Sequence, residues 1–185
     1  RRQRLVRRAA QLQACCRIAA ASMRGGIVDQ APDALGEAPG ALGTGFLEAS
    51  LRRGLEGPVD FIGADAGSTD GGPGALAGGR WTARERAIRH ELGLLLPAAK
   101  GRGVPLLIGS CGLSGSDDNV NHTAELVDEI ATAQGLSLKV AKIYAELDPE
   151  TVVEYLEAGR VRPLSPAPPY DAEIVRRSIR IVGVL

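Results

Sequence analysis

Residues 58–74, PVDFIGADAGSTDGGPG, decide the fold. Pro58 to Ala64 form a short, partly β-branched apolar run that breaks at once into glycine, aspartate and serine, the pattern of a buried strand opening into a loop. The same pattern returns at residues 104–109, VPLLIG, which open into SCGLSGSDD. Between them the spacing predicts a helix over residues 82–101. Thr82 and Glu85 make a capping box, Leu92, Leu95, Leu96 and Ala99 supply an apolar face, Pro97 introduces a kink, and Gly101 and Gly103 close the helix. A strand, a helix of this length and a second apolar strand form a βαβ unit, which implies a parallel sheet with a right-handed crossover.

Working outward, residues 41–56 (ALGTGFLEASLRRGLE) place Phe46, Leu47, Leu51 and Leu55 at helical intervals after a glycine turn. Downstream, a helix is expected from about Asn119 to Gln134 on Leu126, Val127 and Ile130, capped by Asp117 or Asp118. Gly135 stops it, and a third strand is expected from Leu136 to Tyr144, with residues 59–64, 104–109 and 137–143 central in the sheet because these runs read as apolar throughout instead of alternating. Asp148 caps a further helix with Pro149 at its first position, striped by Val152, Val153 and Leu156 and ended by Gly159. After the proline-rich bridge 163–169, Asp171 caps a last helix carrying Ile174, Val175, Ile179 and Val182. We therefore expect an α/β protein with a parallel, doubly wound sheet flanked by helices. Part of a (β/α) barrel is the alternative, since four units make half of one.

Composition agrees. The 185 residues suit about one domain, and 44% hydrophobic with 24% charged residues excludes whole-chain disorder or a fibrous repeat. Glycine (24) and proline (11) are abundant, and only six residues are aromatic, so the core must be built from Ala, Val, Ile and Leu. The formal net charge is zero, but residues 1–26 hold seven arginines and no acid, which leaves the remainder at 15 basic against 22 acidic residues. A domain of that sign has no general attraction for nucleic acid. We read residues 1–26 as a basic arm and 27–185 as the α/β domain. The arm fits a targeting segment or a nucleic-acid arm, but the favoured expectation is a poorly ordered arm or sequence foreign to the domain that contributes little to folding. The chain begins with Arg1 instead of Met, and the expectation is that it is not a complete natural start. There is no apolar stretch of about 18 residues, so no membrane partner is expected. Cys15, Cys16 and Cys111 cannot all pair, and the vicinal pair lacks metal-ligand spacing, which favours a reducing, cytoplasmic setting.

In either architecture ligands bind beyond the carboxyl ends of the strands. The first loop there offers Asp65, Gly67, Ser68, Thr69 and Asp70, the second Ser110, Cys111, Gly112, Ser114, Ser116, Asp117 and Asp118, and the third Tyr144, Glu146 and Asp148. Glycines in the first two let backbone N–H groups approach an anion, although neither loop carries a Walker lysine or a complete dinucleotide fingerprint. Asp65 directly follows an apolar strand, and burial with hydrogen bonds to the next loop is expected of it. Asp65, Asp70, Glu146 and Asp148 could instead converge on a divalent cation or share acid and base work. Cys111 is either a nucleophile or a small packing residue after a buried strand. His90 reads as solvated surface, and His122 as a residue at a helix start or a base beside Ser110 or Ser114. Asp65, Ser110 and Glu146 are the catalytic candidates. Gly67, Ser68, Thr69, Asp70, Gly112, Ser114 and Asp148 are the ligand-binding ones. No cofactor and no metal is named by this pattern.

GADAGSTDGGPG after a strand, then PLLIGSCGLSGSDDN, then KVAKIYAELD, resembles the acyclic terpene utilisation family of bacterial and fungal proteins. ALGTGFLEASLRRGLE and LEAGRVRPL fit the same pattern, so the resemblance spans roughly Gly40 to Leu185, with ADAGSTD its most specific part. It implies a catabolic enzyme of small carboxylic acids or branched acyl-CoA, of lyase or hydratase type, of which this chain is the N-terminal portion. By position it implicates Asp65, Ser68, Thr69 and Asp70, then Ser110 and Gly112, then Glu146 and Asp148. Cys111 and Tyr144 depart from it, the family more often having a small residue at the first and a histidine at the second. The partner expected is a small acid or thioester, with a homo-oligomer left open. The other class is a non-catalytic binding or assembly domain that needs a missing C-terminal part.

Overall fold

The computed structural model describes residues 26–27, 42–43, 45–66, 85–112, 115–164, 166 and 169–183. Three parallel strands, β1 (Gly26–Ile27), β2 (Ile62–Asp65) and β3 (Leu106–Gly109), lie in the order β1-β2-β3. The register of the central pair runs from Ile62 opposite Leu106 to Asp65 opposite Gly109, so both strands end at the same level. The first of the helices, α1, spans Glu48–Gly54; α2 (Glu85–Arg102) lies between β2 and β3 in the chain, and α3 (Asp117–Ala133) follows β3. Two shorter helices, α4 (Pro149–Glu157) and α5 (Ala172–Arg177), complete the described chain. The βαβ unit expected from residues 58–109 is present.

The core forms where α2 meets the sheet and α3. Ile88, Leu92, Leu95, Leu96 and Ala99 of α2 are buried with Ile62, Leu51, Leu126 and Val127, and Leu92 is 0% exposed. Burying a side chain of that size contributes about 1.5–3 kcal/mol, so this one stripe dominates the fold. A separate small cluster, Val152, Val153 and Val175, joins α4 to α5 with Leu156, Tyr170, Ala172 and Ile181 around it.

Helix ends follow a common device. Gly103, Gly135 and Gly159 all have φ near +65° (67°, 64° and 66°), and the next residue's N–H returns to the last turn, as in Val104 N–H to the Ala99 carbonyl (3.1 Å) and Leu136 N–H to that of Ala131 (2.8 Å). This is the left-handed glycine stop, in which a Cβ would be strained. Gly101, expected to help close α2, lies inside it. Pro97 interrupts nothing. The helix continues through it, and the Gly93 carbonyl, four residues back and deprived of its donor, accepts instead from Gln134 Nε2 at 2.8 Å.

Three expectations are corrected. Residues 136–144 add no strand to the sheet: Leu136 and Leu138 touch the core, but Val140 and Ile143 are 55% and 53% exposed. Lys139 and Lys142 explain this, because a strand buried on both faces has no place for two unpaired ammonium groups. Pairing resumes only at Glu146, which forms an antiparallel bridge to Val182. The last helix stops at Arg177, with Ser178 leaving the helical conformation, so Ile179 and Val182 are not on it. The cap of α3 is Ser116, whose Oγ accepts from Asn119 N–H at 3.3 Å, not Asp117 or Asp118. Asp148 and Asp171 cap α4 and α5 as expected, accepting from Thr151 N–H (3.1 Å) and Ile174 N–H (2.9 Å).

Candidate functional site

The carboxyl ends of β2 and β3 bring Asp65 and Ser110 together. Asp65 is exposed instead of buried, and its Oδ1 stands 3.9 Å from where a Cβ on Gly109 would lie, directly beside the residue that precedes Ser110. The chain then turns sharply: Ser110 and Cys111 have φ of 55° and 39°, in the left-handed region that non-glycine residues rarely occupy. Three contacts hold them there. Ala66 N–H donates to the Gly109 carbonyl (2.9 Å), Gly112 N–H to that of Ala66 (2.6 Å), and Gly115 N–H to that of Ser110 (2.7 Å). Strain of this kind persists only where its surroundings over-determine it. Gly112, with φ of 98°, supplies a conformation that a side chain would oppose.

A residue missed in the sequence positions the neighbouring turn. Glu91 is 3% exposed within α2, and its two carboxylate oxygens accept from Gly43 N–H at 2.6 Å and Gly45 N–H at 2.8 Å. Gly43 and Gly45 have φ of 96° and 95°, which aims their N–H groups at one carboxylate. Leu42 N–H meanwhile donates to the Asp65 carbonyl at 2.6 Å, so Glu91 fixes the 42–45 turn against the strand end. The signal was an acid beside Leu92 and three residues after Ile88, on the buried stripe of α2.

Glu146 has a different position. Its Oε1 accepts from Asp117 N–H at 3.0 Å and from Arg180 Nη1 at 3.2 Å, while Arg180 Nη2 reaches Asp118 Oδ2 at 2.6 Å. The Asp118 hydrogen bond is the largest cause holding the Arg180 guanidinium above its usual range. Glu146 thus closes the start of α3 and ties it to the C-terminal segment, and Asp148 caps α4. Among the described residues no three of His, Cys, Asp and Glu are placed to hold a metal ion. Tyr144 donates its hydroxyl hydrogen to Asn121 Oδ1 (2.6 Å), which also accepts from Lys142 Nζ (2.9 Å).

Cys111 is half-buried, and burial pushes its thiol up, with a Thr123 hydrogen bond opposing in part. An up-shifted thiol is the opposite of an activated nucleophile. His90 is exposed, as expected. His122 lies between Glu85 (3.6 Å) and Glu125 (3.7 Å), where α2 and α3 meet. Gly67, Ser68, Thr69, Asp70 and Ser114, together with the Thr82 cap and residues 1–25, lie outside the described residues. An open depression lined by Ala49, Ser50, Arg52, Arg53 and Glu56 lies along α1, not at the strand ends. It belongs to the solvated face of that short helix.

Comparison with protein-family models, with curated proteins and with solved structures finds no match to this chain.

Proposed function

We propose that the chain is the ligand-binding part of a cytoplasmic catabolic enzyme for a small carboxylic acid or branched acyl-CoA, of lyase or hydratase type. Its site is the carboxyl end of β2 and β3. The observation that carries this reading is the over-determined left-handed turn at Ser110 and Cys111 beside the exposed Asp65 carboxylate. An exposed carboxylate beside a fixed, glycine-flanked turn is suited to proton transfer next to a bound acyl group. Ser110 faces the same strand end and serves as a polar contact. Glu146 is a positioning residue in this reading, because Asp117 and Arg180 occupy its carboxylate. We take the sheet as doubly wound instead of part of a barrel, since among the described residues the segment after α3 adds no strand beside β3 as a closing barrel would require.

The test is Asp65→Ala, assayed by calorimetry against short carboxylates and acyl-CoA thioesters, with thermal stability measured in parallel. Binding is lost while the melting temperature stays within about 3 °C of wild type, the shift expected for less than 1 kcal/mol in a chain of this size. Unchanged binding with a clear fall in stability makes Asp65 a scaffold residue and removes the proposal. A second reading, an assembly domain inactive by itself, is favoured by the exposure of Val140, Ile143 and Leu107, at 55%, 53% and 53%. A second copy covering these side chains would make ligand binding depend on protein concentration, which light scattering alongside the same titration detects.

A further inference from the structure

Three separate segments meet at the start of α3. Asp117 N–H donates to Glu146 Oε1 (3.0 Å) and Glu146 N–H returns to Asp117 Oδ1 (3.4 Å), a reciprocal pair that lays residues 145–147 against the helix end. The same three residues pair with the C-terminal stretch: Leu147 N–H donates to the Ile181 carbonyl (2.8 Å) and Gly183 N–H to that of Ala145 (3.0 Å), around the antiparallel bridge of Glu146 and Val182. Arg180 ties all three together. Its Nη1 donates to Glu146 Oε1 (3.2 Å) and its Nη2 to Asp118 Oδ2 (2.6 Å), so one guanidinium holds both the middle segment and α3. The Arg180 and Glu146 side chains are 20% and 28% exposed, which keeps water from competing fully for these charge-assisted hydrogen bonds.

Apolar packing does not duplicate this link. α4 and α5 pack chiefly on each other through Val152, Val153 and Val175, in a cluster separate from the sheet core, so the unit can part from α3 without opening that core. The start of α3 in turn forms one side of the strand-end turn. Ser116 caps the helix, Gly115 N–H donates to the Ser110 carbonyl (2.7 Å), and Thr123, on the second turn of α3, lies against the half-buried Cys111 thiol. β2 and β3 hold the other side through Ala66 and Gly109. We propose that Arg180 is a latch that makes the C-terminal unit a strap across the start of α3, and that its release loosens the α3 side of the strand-end turn and uncovers Cys111 while Asp65 and the strand ends stay in place. The strap concerns the conformation of the turn and does not depend on which ligand the strand end takes.

The experiment uses the full chain carrying Cys15→Ser and Cys16→Ser, which leaves Cys111 as its single thiol. In that background Arg180→Ala should raise the rate at which iodoacetamide alkylates Cys111 by about 3- to 10-fold, the change in open population that losing the net worth of one hydrogen bond allows. Urea separates a lifting strap from unfolding. A strap exposes little surface, so the Cys111 rate should climb only shallowly with urea, whereas exchange of the buried-stripe amide of Leu92 follows the full unfolding slope. Arg177→Ala, which removes an exposed guanidinium paired with Glu173 inside the unit, should alkylate like the parent chain. Arg180→Lys keeps the charge but loses the planar fork, and its rate should fall between those of the parent and Arg180→Ala. Equal rates in the parent and Arg180→Ala overturn the latch, and so does an equal rise in Arg177→Ala. A urea slope at Cys111 as steep as that at Leu92 overturns it too, because the thiol is then uncovered only when the whole chain unfolds. If Arg180→Ala does not fold, Arg180→Lys decides alone, and a rate equal to the parent's overturns the proposal.

Discussion

The sheet core around α2 and the C-terminal unit of α4 and α5 are held by different physics. Around α2, eleven buried residues among those described form one apolar cluster in which β2, β3, α1 and two long helices share contacts. Among the described residues the C-terminal unit has three buried valines. Its further attachments are polar: Arg176 grips Glu150 with two hydrogen bonds (2.8 and 3.0 Å), Arg180 reaches Asp118 and Glu146, and Leu147 N–H donates to the Ile181 carbonyl (2.8 Å). Apolar burial is indifferent to salt and acid, and exposed ion pairs are not. The strand-end site stands on the first kind of structure, while Glu146 belongs to the second.

Truncation should separate the two regions most sharply. Leu92→Ala removes a wholly buried side chain from the centre of α2 and is expected to cost about 3–5 kcal/mol, enough to unfold much of the population. Val153→Ala in the smaller cluster should cost about 1–2.5 kcal/mol and loosen α4 and α5 first. Urea unfolding followed by site-resolved hydrogen exchange reads both. Equal, global losses would mean that the two clusters form one cooperative unit.

Glu91→Ala comes next, at about 2–3 kcal/mol, because it strands the N–H groups of Gly43 and Gly45 beside a buried void. Glu91→Gln keeps one acceptor and should recover about half of that. An exposed or freely replaceable Glu91 would show the turn at the strand end to be held by something else.

What the sequence discloses follows the same division. The two strands, the α2 stripe, the caps Asp148 and Asp171 and the glycine stops are local signals, each set by residues within one or two turns, and they are legible. The role of Glu91 depends on a turn 46 residues earlier or more, and that of Glu146 on Arg180, 34 residues later. Such partners have no periodicity to betray them. Residues 136–144 mislead because their apolar count suggests a strand while two lysines forbid full burial. Asp65 and Ser110 could be placed at one strand end since both directly follow apolar runs, but the exposure of Asp65 depends on the neighbouring loop.

The polar links should fail where the core does not. Glu146→Ala removes acceptors from Asp117 N–H and Arg180, with an expected loss of about 1–2 kcal/mol confined to α4, α5 and the start of α3. Acid acts in the same place. Arg176 holds the Glu150 carboxyl below the ordinary carboxylate range, so the pair stabilises above that range, about pH 4.3, and its contribution is lost as pH falls through the lower folded value. Protection factors in α4 and α5, corrected for the intrinsic exchange rate, should therefore fall between about pH 5 and pH 3, and again with added salt, while those of α2 amides hold. A parallel fall in both regions would erase the distinction.

The smallest effect tests the seam inside the core itself. Gly93 loses its normal intrahelical donor because Pro97 has none, and Gln134 supplies one from the end of α3. Gln134→Ala should cost about 0.5–1.5 kcal/mol, the net worth of one hydrogen bond, read as a shift in the urea midpoint at constant slope. Pro97→Ala restores a backbone N–H to the helix and relieves the ring's pressure on the Gly93 carbonyl, so it should stabilise. The decisive quantity is the coupling: in the Pro97→Ala background, Gln134→Ala should be nearly neutral, because the carbonyl is then satisfied within α2. Additive changes in the double variant would show that Gln134 acts through packing or the α3 terminus, and that the proline is tolerated for another reason.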